Sequence, residues 1–229
     1  MSNNLIAIPG RLHSVALDEQ GNPIPVSGAN EIYDDELQLS QSTINDIVMS
    51  NAVTISLRAT SNIVDSSVAS NTSNTVTLVA STNINANIVI KKGNDVIASG
   101  TGSTLTATDT LAFSGQLTEY SAIVSKGDYQ KTAIVRLATM YYGAGSTSLS
   151  AKYAKAVSSP AGTYNITVSS DGSYVFFRVP STMTIHGATK SGFDYPLEDP
   201  VPSQIGGDEY KDYYSSNTYD AGTEIVTLS

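Results

Sequence analysis

From residue 53 onward, apolar and polar residues alternate in short runs along the chain. Alternation of this kind predicts β-strands with one buried face and one face in water. Between residues 53 and 139 the runs are VTISLRA, TVTLVAST, NIVIKK, DVIASG, STLTATDT, TEYSAIVS and QKTAIVRLA. Turn-forming segments separate them, among them KGND, GTGS, AFSG and KGDY. Short strands in this number and spacing predict an immunoglobulin-like β-sandwich over residues 53–139.

Aliphatic side chains must fill the core of this predicted sandwich. The chain has no cysteine and no tryptophan, so the disulfide and tryptophan that pin antibody domains together are missing. The predicted core residues are Val76, Leu78, Ile88, Ile90, Ile123, Val124 and Ile134. The segment KGND at residues 92–95 is predicted to close a tight hairpin between two of the strands.

Residues 140–229 predict a second β-domain at the C-terminus. Its strand-like runs are TYNITVS, SYVFFRVP, TMTIHGAT, EYKDYYSSNTY and TEIVTLS. The segment SDG at residues 170–172 is predicted to form a hairpin turn between the first two of these runs. The last run is too apolar for a free tail and is expected to end the chain as a paired strand.

Residues 30–52 contain the one convincing helical pattern. Tyr33, Leu37, Ile44 and Val48 share a helical face. Serine and threonine in the interior are poor helix formers, and a helix this short is marginal in water. We therefore expect a coiled-coil-like helix that needs a partner, either further copies of itself or an assembly into which it inserts. Packing of the helix on its own β-domain is the alternative.

Residues 1–29 predict an irregular, extended arm. The segment GNP at residues 21–23 favours a turn, and Pro23 and Pro25 exclude a helix there. The arm has few apolar residues with which to fold by itself. We expect it to dock against another protein.

Charge and composition exclude several classes of partner. Of the 21 acids and 12 bases, seven acids and one base lie in residues 1–50, and eight acids and one base lie in residues 194–229. Acidic ends of this kind argue against binding of nucleic acid by the whole chain. No run of about 18 apolar residues exists, so no membrane span is expected.

Catalytic chemistry has little support in the sequence. The two histidines, His13 in the arm and His186 in the predicted strand TMTIHGA, have no cysteine to join them in a metal site. The neighbouring acids at residues 198–199 and 208–209 are expected to be solvated, because a glycosidase opposes its two carboxylates across a cleft. We predict no catalytic residue, no cofactor, no metal site and no enzyme activity.

Tyrosines among the C-terminal acids are the candidate contacts for a glycan. They are Tyr210, Tyr213, Tyr214 and Tyr219. A tyrosine ring stacks on a neutral sugar, whereas the surrounding acids repel anionic polymers. The alternative is that these rings pack the interface between three copies of the chain.

The N-terminal segment carries two motifs. The arm contains RLHSV at residues 11–15, and a YDD-x-L-x-x-x-QS-x-IN pattern follows with Tyr33, Asp34, Asp35, Leu37, Gln41, Ser42, Ile44 and Asn45. In both motifs the segment resembles fibre and appendage proteins in tailed phages of gut bacteria, the crAss-like phages among them, where an arm of this type leads into a helix with this pattern. The segments NTVTLVAST, VIKKGNDVIASGTGSTLTATDT and SSNTYDAGTEIVTLS resemble the Ig-like modules and the closing strand of such proteins.

This resemblance implies a homotrimeric fibre of the head-fibre type on the surface of a phage virion. Residues 1–29 would attach to other virion proteins, residues 30–52 would trimerise, and the two β-domains would project outward. The short chain favours attachment to the capsid over the tail. The other function class is a carbohydrate-binding adhesin or receptor-binding module, and the two classes do not exclude each other because a fibre can also bind host glycans.

Overall fold

The computed structural model describes residues 53–127, 129–146 and 152–229, together with the backbone of residues 33–34 and 39–40. These residues form antiparallel β-sheets and contain no helix, so the prediction of a mainly β protein is confirmed. It follows that none of the described segments is a helix long and apolar enough to cross a membrane.

The strands, in chain order, are β1 (Tyr33–Asp34), β2 (Leu39–Ser40), β3 (Ile55–Ser61), β4 (Ile63–Asp65), β5 (Ser73–Lys92), β6 (Asp95–Ala112), β7 (Thr118–Lys126), β8 (Tyr129–Gly145), β9 (Tyr153–Val157), β10 (Gly162–Val168), β11 (Ser173–Pro180), β12 (Ala188–Lys190), β13 (Phe193–Asp194), β14 (Val201–Ile205), β15 (Asp208–Tyr219) and β16 (Gly222–Leu228).

The N-terminal region is described at four residues only. There β1 pairs with β2 in an antiparallel arrangement, with Tyr33 opposite Ser40. This extended backbone differs from the helix that the sequence predicts at these positions. The remaining residues of the arm (1–29) and of the helical segment (30–52), including Leu37, Ile44 and Val48, lie outside the described residues. Their roles stay predictions.

Strands β5 and β6 form one long hairpin. Lys92 pairs with Asp95 across its tip, which confirms the hairpin predicted from KGND. Gly93 has a φ of +55°, a conformation that glycine adopts without steric cost. The turn is therefore specified locally by the glycine.

A bulge interrupts the hairpin where residues 82–85 of β5 lie opposite Ser103 alone. On one side of this bulge β5 pairs with β3, and on the other side it pairs with β7. A bulge bends the strand that carries it and increases its twist. Side chains from both halves of β5 and β6, and from β3 and β7, consequently fill a single core.

The prediction of seven short strands is wrong at this hairpin. β5 is a continuous strand of 20 residues where two strands were expected, and β6 continues for 18 residues through the predicted turn GTGS. Gly100 and Gly102 both pair with β5. Glycines inside a strand accommodate a bend or bulge as well as a turn, so their presence alone does not reveal which of these the chain makes.

The first core agrees largely with the aliphatic pattern. Fully buried are Val76, Leu78, Ile88, Ile90 and Val124. Ile123 is only partly buried, and the prediction of Ile134 as a core residue is wrong because it is 50% exposed. Val135 and Leu137 of the same strand face the core, and alternation then turns Ile134 outward.

The second core lies between two layers. One is a four-stranded sheet with the order β10-β16-β12-β13, and the other is the part of the large sheet formed by β14, β15, β11, β8 and β9. The largest fully buried side chains in this core are Met140, Tyr142, Ile166 and Phe177. The expectation that the terminal run is a paired strand is confirmed, because β16 pairs with both β10 and β12.

The turn at residues 170–172 connects the two layers and does not close a hairpin. β10 pairs with β16, whereas β11 pairs with β8 and β15, so the predicted hairpin is wrong. The chain does reverse here, and Gly172 has a φ of +70°. Turn residues specify a local reversal, but tertiary packing decides which sheet the next strand joins.

Strand β8 takes part in both cores. Leu137 packs in the first core, whereas Ala138 and Met140 pack in the second. Successive side chains in a strand point to opposite faces, so the two cores lie on opposite faces of the same sheet. The boundary predicted between residues 139 and 140 falls inside this continuous strand, and separate folding of the two halves stays a prediction.

Arg178 and Asp212 form a buried ion pair on the large sheet. They lie directly opposite each other on β11 and β15, with Nε to Oδ1 at 2.6 Å and Nη2 to Oδ2 at 2.9 Å. Only 8% and 1% of the two residues are exposed. Burial alone lowers the pKa of Arg178, but the bonds to Asp212 outweigh it and the pKa is raised. Two guanidinium nitrogens thus bond to the two carboxylate oxygens, which makes the ion pair bidentate.

A loop after β6 is fastened to the start of β15 through Asp208. The Ser114 hydroxyl (2.7 Å), the Gly115 N–H (2.8 Å) and the Gln116 side-chain amide (3.1 Å) all donate to its carboxylate. A Cβ on Gly115 would lie only 2.9 Å from the Tyr210 ring, so glycine permits this approach. The bond from Ser114 is the largest of the causes that lower the pKa of Asp208.

We predict that Arg178→Met destabilises the protein by about 3–5 kcal/mol, because it leaves the Asp212 carboxylate buried and unpaired. The free energy of unfolding from urea denaturation measures the effect. The double variant Arg178→Met/Asp212→Leu should recover most of the loss, since it removes the second charge as well.

Arg136→Met is the matched control for that prediction. Arg136 pairs with Glu119 at 2.7 Å, but the two side chains are 57% and 43% exposed. Exposed pairs contribute about 0–1 kcal/mol. An Arg178→Met loss as small as that of Arg136→Met would contradict the role given to the buried pair.

We also predict that Asp208→Ala destabilises the protein at pH 7 by about 1–2 kcal/mol, through loss of the acceptor for three donors. The pKa of Asp208 is lowered from 3.8 in the folded state. Its stabilisation is therefore fully present above a pH of about 4 and is lost as the pH falls through the lowered pKa. Denaturation at pH 7 and at successively lower pH values measures the difference from wild type.

That difference should shrink with acidification. The exposed Asp199 has no side-chain hydrogen bond to any described residue, and Asp199→Ala provides the control. A difference for Asp208→Ala that stays constant down to acid unfolding would show that ionisation of Asp208 does not stabilise the loop.

Candidate functional site

Two of the four tyrosines predicted to contact a glycan have buried rings. Tyr210 is 2% exposed and packs edge-on against Tyr141 at 5.7 Å between ring centroids. Tyr213 is 5% exposed and lies in the second core, where its hydroxyl accepts a hydrogen bond from the Ile185 N–H at 3.4 Å. In this structure neither ring offers a free face to a ligand, and both contribute to packing.

The other two tyrosines are partly exposed. Tyr219 stacks on Tyr195 with centroids 5.3 Å apart and ring planes at 9°, and Lys190 Nζ lies 5.6 Å from its centroid. Tyr214 lies on the opposite face of β15 from Tyr213 and packs at 6.4 Å against Phe176. Glycan contact stays a prediction for both, and Tyr214 borders an open groove.

A bulge in β15 shapes the floor of this groove. Tyr174 pairs with Thr218 and Phe176 pairs with Tyr214, so residues 215–217 of β15 lie opposite Val175 alone. The Ser215 hydroxyl fills the gap, since it accepts from the Val175 N–H at 3.0 Å and donates to the Asn217 carbonyl at 2.7 Å. Bulges often occur beside functional sites, where they redirect side chains.

The segment at residues 196–198 forms the wall of the groove. The Glu198 N–H donates to the Tyr214 carbonyl at 2.7 Å, and the Ser216 N–H donates to the Pro196 carbonyl at 2.9 Å. Leu197 forms a bridge with Ser215. Backbone hydrogen bonds thus hold Glu198 beside Tyr214.

The groove has a volume of about 430 Å³ and is open to solvent. Its lining residues are Ser146, Tyr174, Glu198, Tyr214 and Ser216. Within the described part of the chain, none of these five side chains forms a hydrogen bond or an ion pair. Five polar groups around one groove are therefore available to an external ligand.

Tyr174 and Tyr214 are the two tyrosines that line the groove. Tyr174 is 38% exposed, and its partner across β8 is Gly145, which has no side chain to cover the ring. Burial, followed by the charge of Asp212, raises the pKa of Tyr214. The Tyr214 hydroxyl is accordingly protonated at neutral pH and able to donate.

Sequence reasoning identified Tyr214 but missed Tyr174 and Glu198 as its neighbours. Glu198 was interpreted as a solvated loop acid, and Tyr174 belongs to the run SYVFFRVP, whose other aromatic residues, Phe176 and Phe177, are buried. The alternation along this run places Tyr174 on the same face as Phe176. No local signal places residue 198 beside it.

A second groove lies on the other side of the same wall and has a volume of about 480 Å³. His186, Asp194, Glu198 and Asp199 contribute to its lining. His186 is exposed and lies in an irregular segment before β12, not in the predicted strand. Among the residues that the structure covers, no group of three or more histidine and acidic side chains is placed to hold a metal ion. His13 lies outside them.

Similarity to known proteins adds no assignment to either groove. No protein-family model, curated protein or solved structure matches this chain.

Proposed function

We propose that the chain is a structural fibre protein on the surface of a tailed-phage virion. Its N-terminus anchors it to the particle, with the capsid favoured over the tail, and its β-domains project outward, the first of them an Ig-like module. The proposal assigns the chain no enzymatic activity. It rests first on the sequence resemblance of the arm and helical segment.

The continuous strand β8 is the structural observation that supports this proposal. It runs for 17 residues, and every residue from Leu137 to Gly143 is buried. Burial of consecutive residues means that both faces of the strand are covered. A shared strand covered on both faces resists bending between the two cores, which is what a projecting rod requires.

Homotrimerisation through the helical segment is part of the proposal. The predicted trimer face consists of Tyr33, Leu37, Ile44 and Val48. Tyr33 is extended in β1, so burial between three copies is proposed for the other three, and each buried leucine or isoleucine contributes about 1.5–3 kcal/mol. Residues 1–29 would contact other virion proteins. Both statements rest on the sequence alone.

Recognition of a carbohydrate is the second candidate function. The groove beside Tyr214 favours it, because an aromatic ring with polar groups around it is the usual chemistry of a sugar site. An adhesin or receptor-binding role is compatible with a fibre, since the groove lies in the C-terminal half and the proposed anchor lies at the N-terminus.

We predict that Leu37→Asp/Ile44→Asp converts the oligomer to a monomer whose β-domains stay folded, because two charges cannot be buried in an apolar helix interface. Light scattering gives the mass, and circular dichroism reports the folding. The matched control is Gln38→Asp/Ser42→Asp, which adds the same charge to the same segment away from the predicted face. An unchanged mass for the first variant would contradict trimerisation through this face.

We predict that a chain lacking residues 1–29 still oligomerises but no longer decorates phage particles. Co-sedimentation with particles that lack the fibre measures attachment, and the full chain is the positive control. Decoration by the truncated chain at the full-length level would refute the role of the arm.

A further inference from the structure

We infer that the groove lined by Tyr174, Tyr214 and Glu198 binds an uncharged saccharide. This inference deepens the second candidate function and names the ligand class of its site. It does not require that the chain be a fibre, because the lining residues belong to β11, to β15, to the segment at residues 196–198 and to Ser146 after β8, all in the C-terminal half of the chain.

The aromatic residues provide the apolar part of the contact. The C–H groups on one face of a pyranose ring pack on an aromatic ring, and tyrosine adds a hydroxyl at the edge of that contact. Tyr174 is 38% exposed although it stands in a strand whose other aromatic residues are buried. Phe176 lies directly opposite Tyr214 on the neighbouring strand, with the two ring centroids 6.4 Å apart, so one side of the Tyr214 ring packs against the protein.

The polar groups match the hydroxyls of a sugar. A carboxylate accepts hydrogen bonds only, whereas serine and tyrosine hydroxyls both donate and accept. Glu198 can therefore accept from a sugar hydroxyl, while Ser146, Ser216 and the tyrosines complete the remaining bonds. None of these side chains has a hydrogen-bond partner within the described residues, so ligand binding breaks no hydrogen bond between residues that the structure describes.

Hydrogen bonds hold the backbone of the wall and the floor of this groove in place. The backbone of Glu198 is bonded to Tyr214 at 2.7 Å, and the Ser215 hydroxyl fixes the bulge beneath them. Binding groups that are already in place lose less entropy when a ligand is bound. The geometry thus supports recognition by direct contact.

The negative charge around the groove favours uncharged saccharides over anionic ones. Residues 194–229 contain eight acids and one base, and the only ionised side chain among the lining residues is Glu198. Sialic acids, uronic acids and phosphate-bearing polymers would meet a like charge without a compensating cation. The volume of about 430 Å³ and the open shape suit one or two sugar units of a longer chain.

The test uses the full-length protein on a glycan array that contains neutral, sialylated and uronate-bearing oligosaccharides, together with a lysine-rich peptide. We expect binding to neutral glycans only. The strongest neutral oligosaccharide is then titrated by calorimetry against Tyr174→Ala and Glu198→Gln. Each change should weaken binding by about tenfold or more, the equivalent of one lost ring contact or charged hydrogen bond.

Phe193→Ala is the matched control. Phe193 is 77% exposed and does not line the groove, so its loss removes an exposed ring without touching the proposed contacts. Circular dichroism confirms that each variant is folded. Tyr174→Phe keeps the ring and should retain most of the affinity if stacking dominates.

Several results would overturn the inference: no binding to any neutral glycan, preference for the anionic glycans or for the peptide, or equal losses in Phe193→Ala and Tyr174→Ala. Particle decoration by the same variants separates it from the fibre proposal. If the protein attaches to phage particles but binds no glycan on the array, the saccharide site alone is refuted. If it binds a neutral glycan but does not attach to particles, the fibre proposal alone is refuted.

Discussion

Alternation of side chains along β8 is the constraint on which the rest of the structure depends. A strand presents odd and even residues to opposite faces, and β8 uses both faces in succession. Val135 and Leu137 point into the first core, and Ala138, Met140 and Tyr142 point into the second. Because one backbone carries both sets, each core fixes the orientation of the strand for the other.

The face of the large sheet that lies opposite the second core is buried by a separate set of residues. It carries the Arg178–Asp212 pair, Tyr141 and Tyr210, and Phe113 from the first half of the chain packs against it. The Asp208 carboxylate fastens the loop that follows Phe113. Polar and aromatic residues thus share a surface that the second core leaves open, and matched hydrogen bonds offset the cost of burying their charges.

The groove beside Tyr214 arises where this covering ends. The loop protects Tyr210 at the start of β15, but Tyr174 and Tyr214 lie farther along the sheet, near the bulge and the wall at residues 196–198. Tyr174 is partly exposed because Gly145 of β8, which stands opposite it, has no side chain to cover the ring. Phe176, two residues further along β11, is buried although Gly143 stands opposite it. Along β11, Phe176 and Phe177 are buried, whereas Tyr174 faces solvent.

The sequence by itself determined the β class, the tight turn at Gly93 and most of the first core, since these follow from alternation and from local turn chemistry. It did not determine that β5 and β6 are continuous, that the turn at residues 170–172 joins two layers, or that Ile134 faces outward. The first two features depend on which strands pair, and pairing is decided by contacts between residues far apart in the chain. Ile134 faces outward because Val135 and Leu137 of its own strand face the core, and the choice of face is made by packing. The same holds for the groove, where only tertiary structure brings Glu198 beside Tyr214.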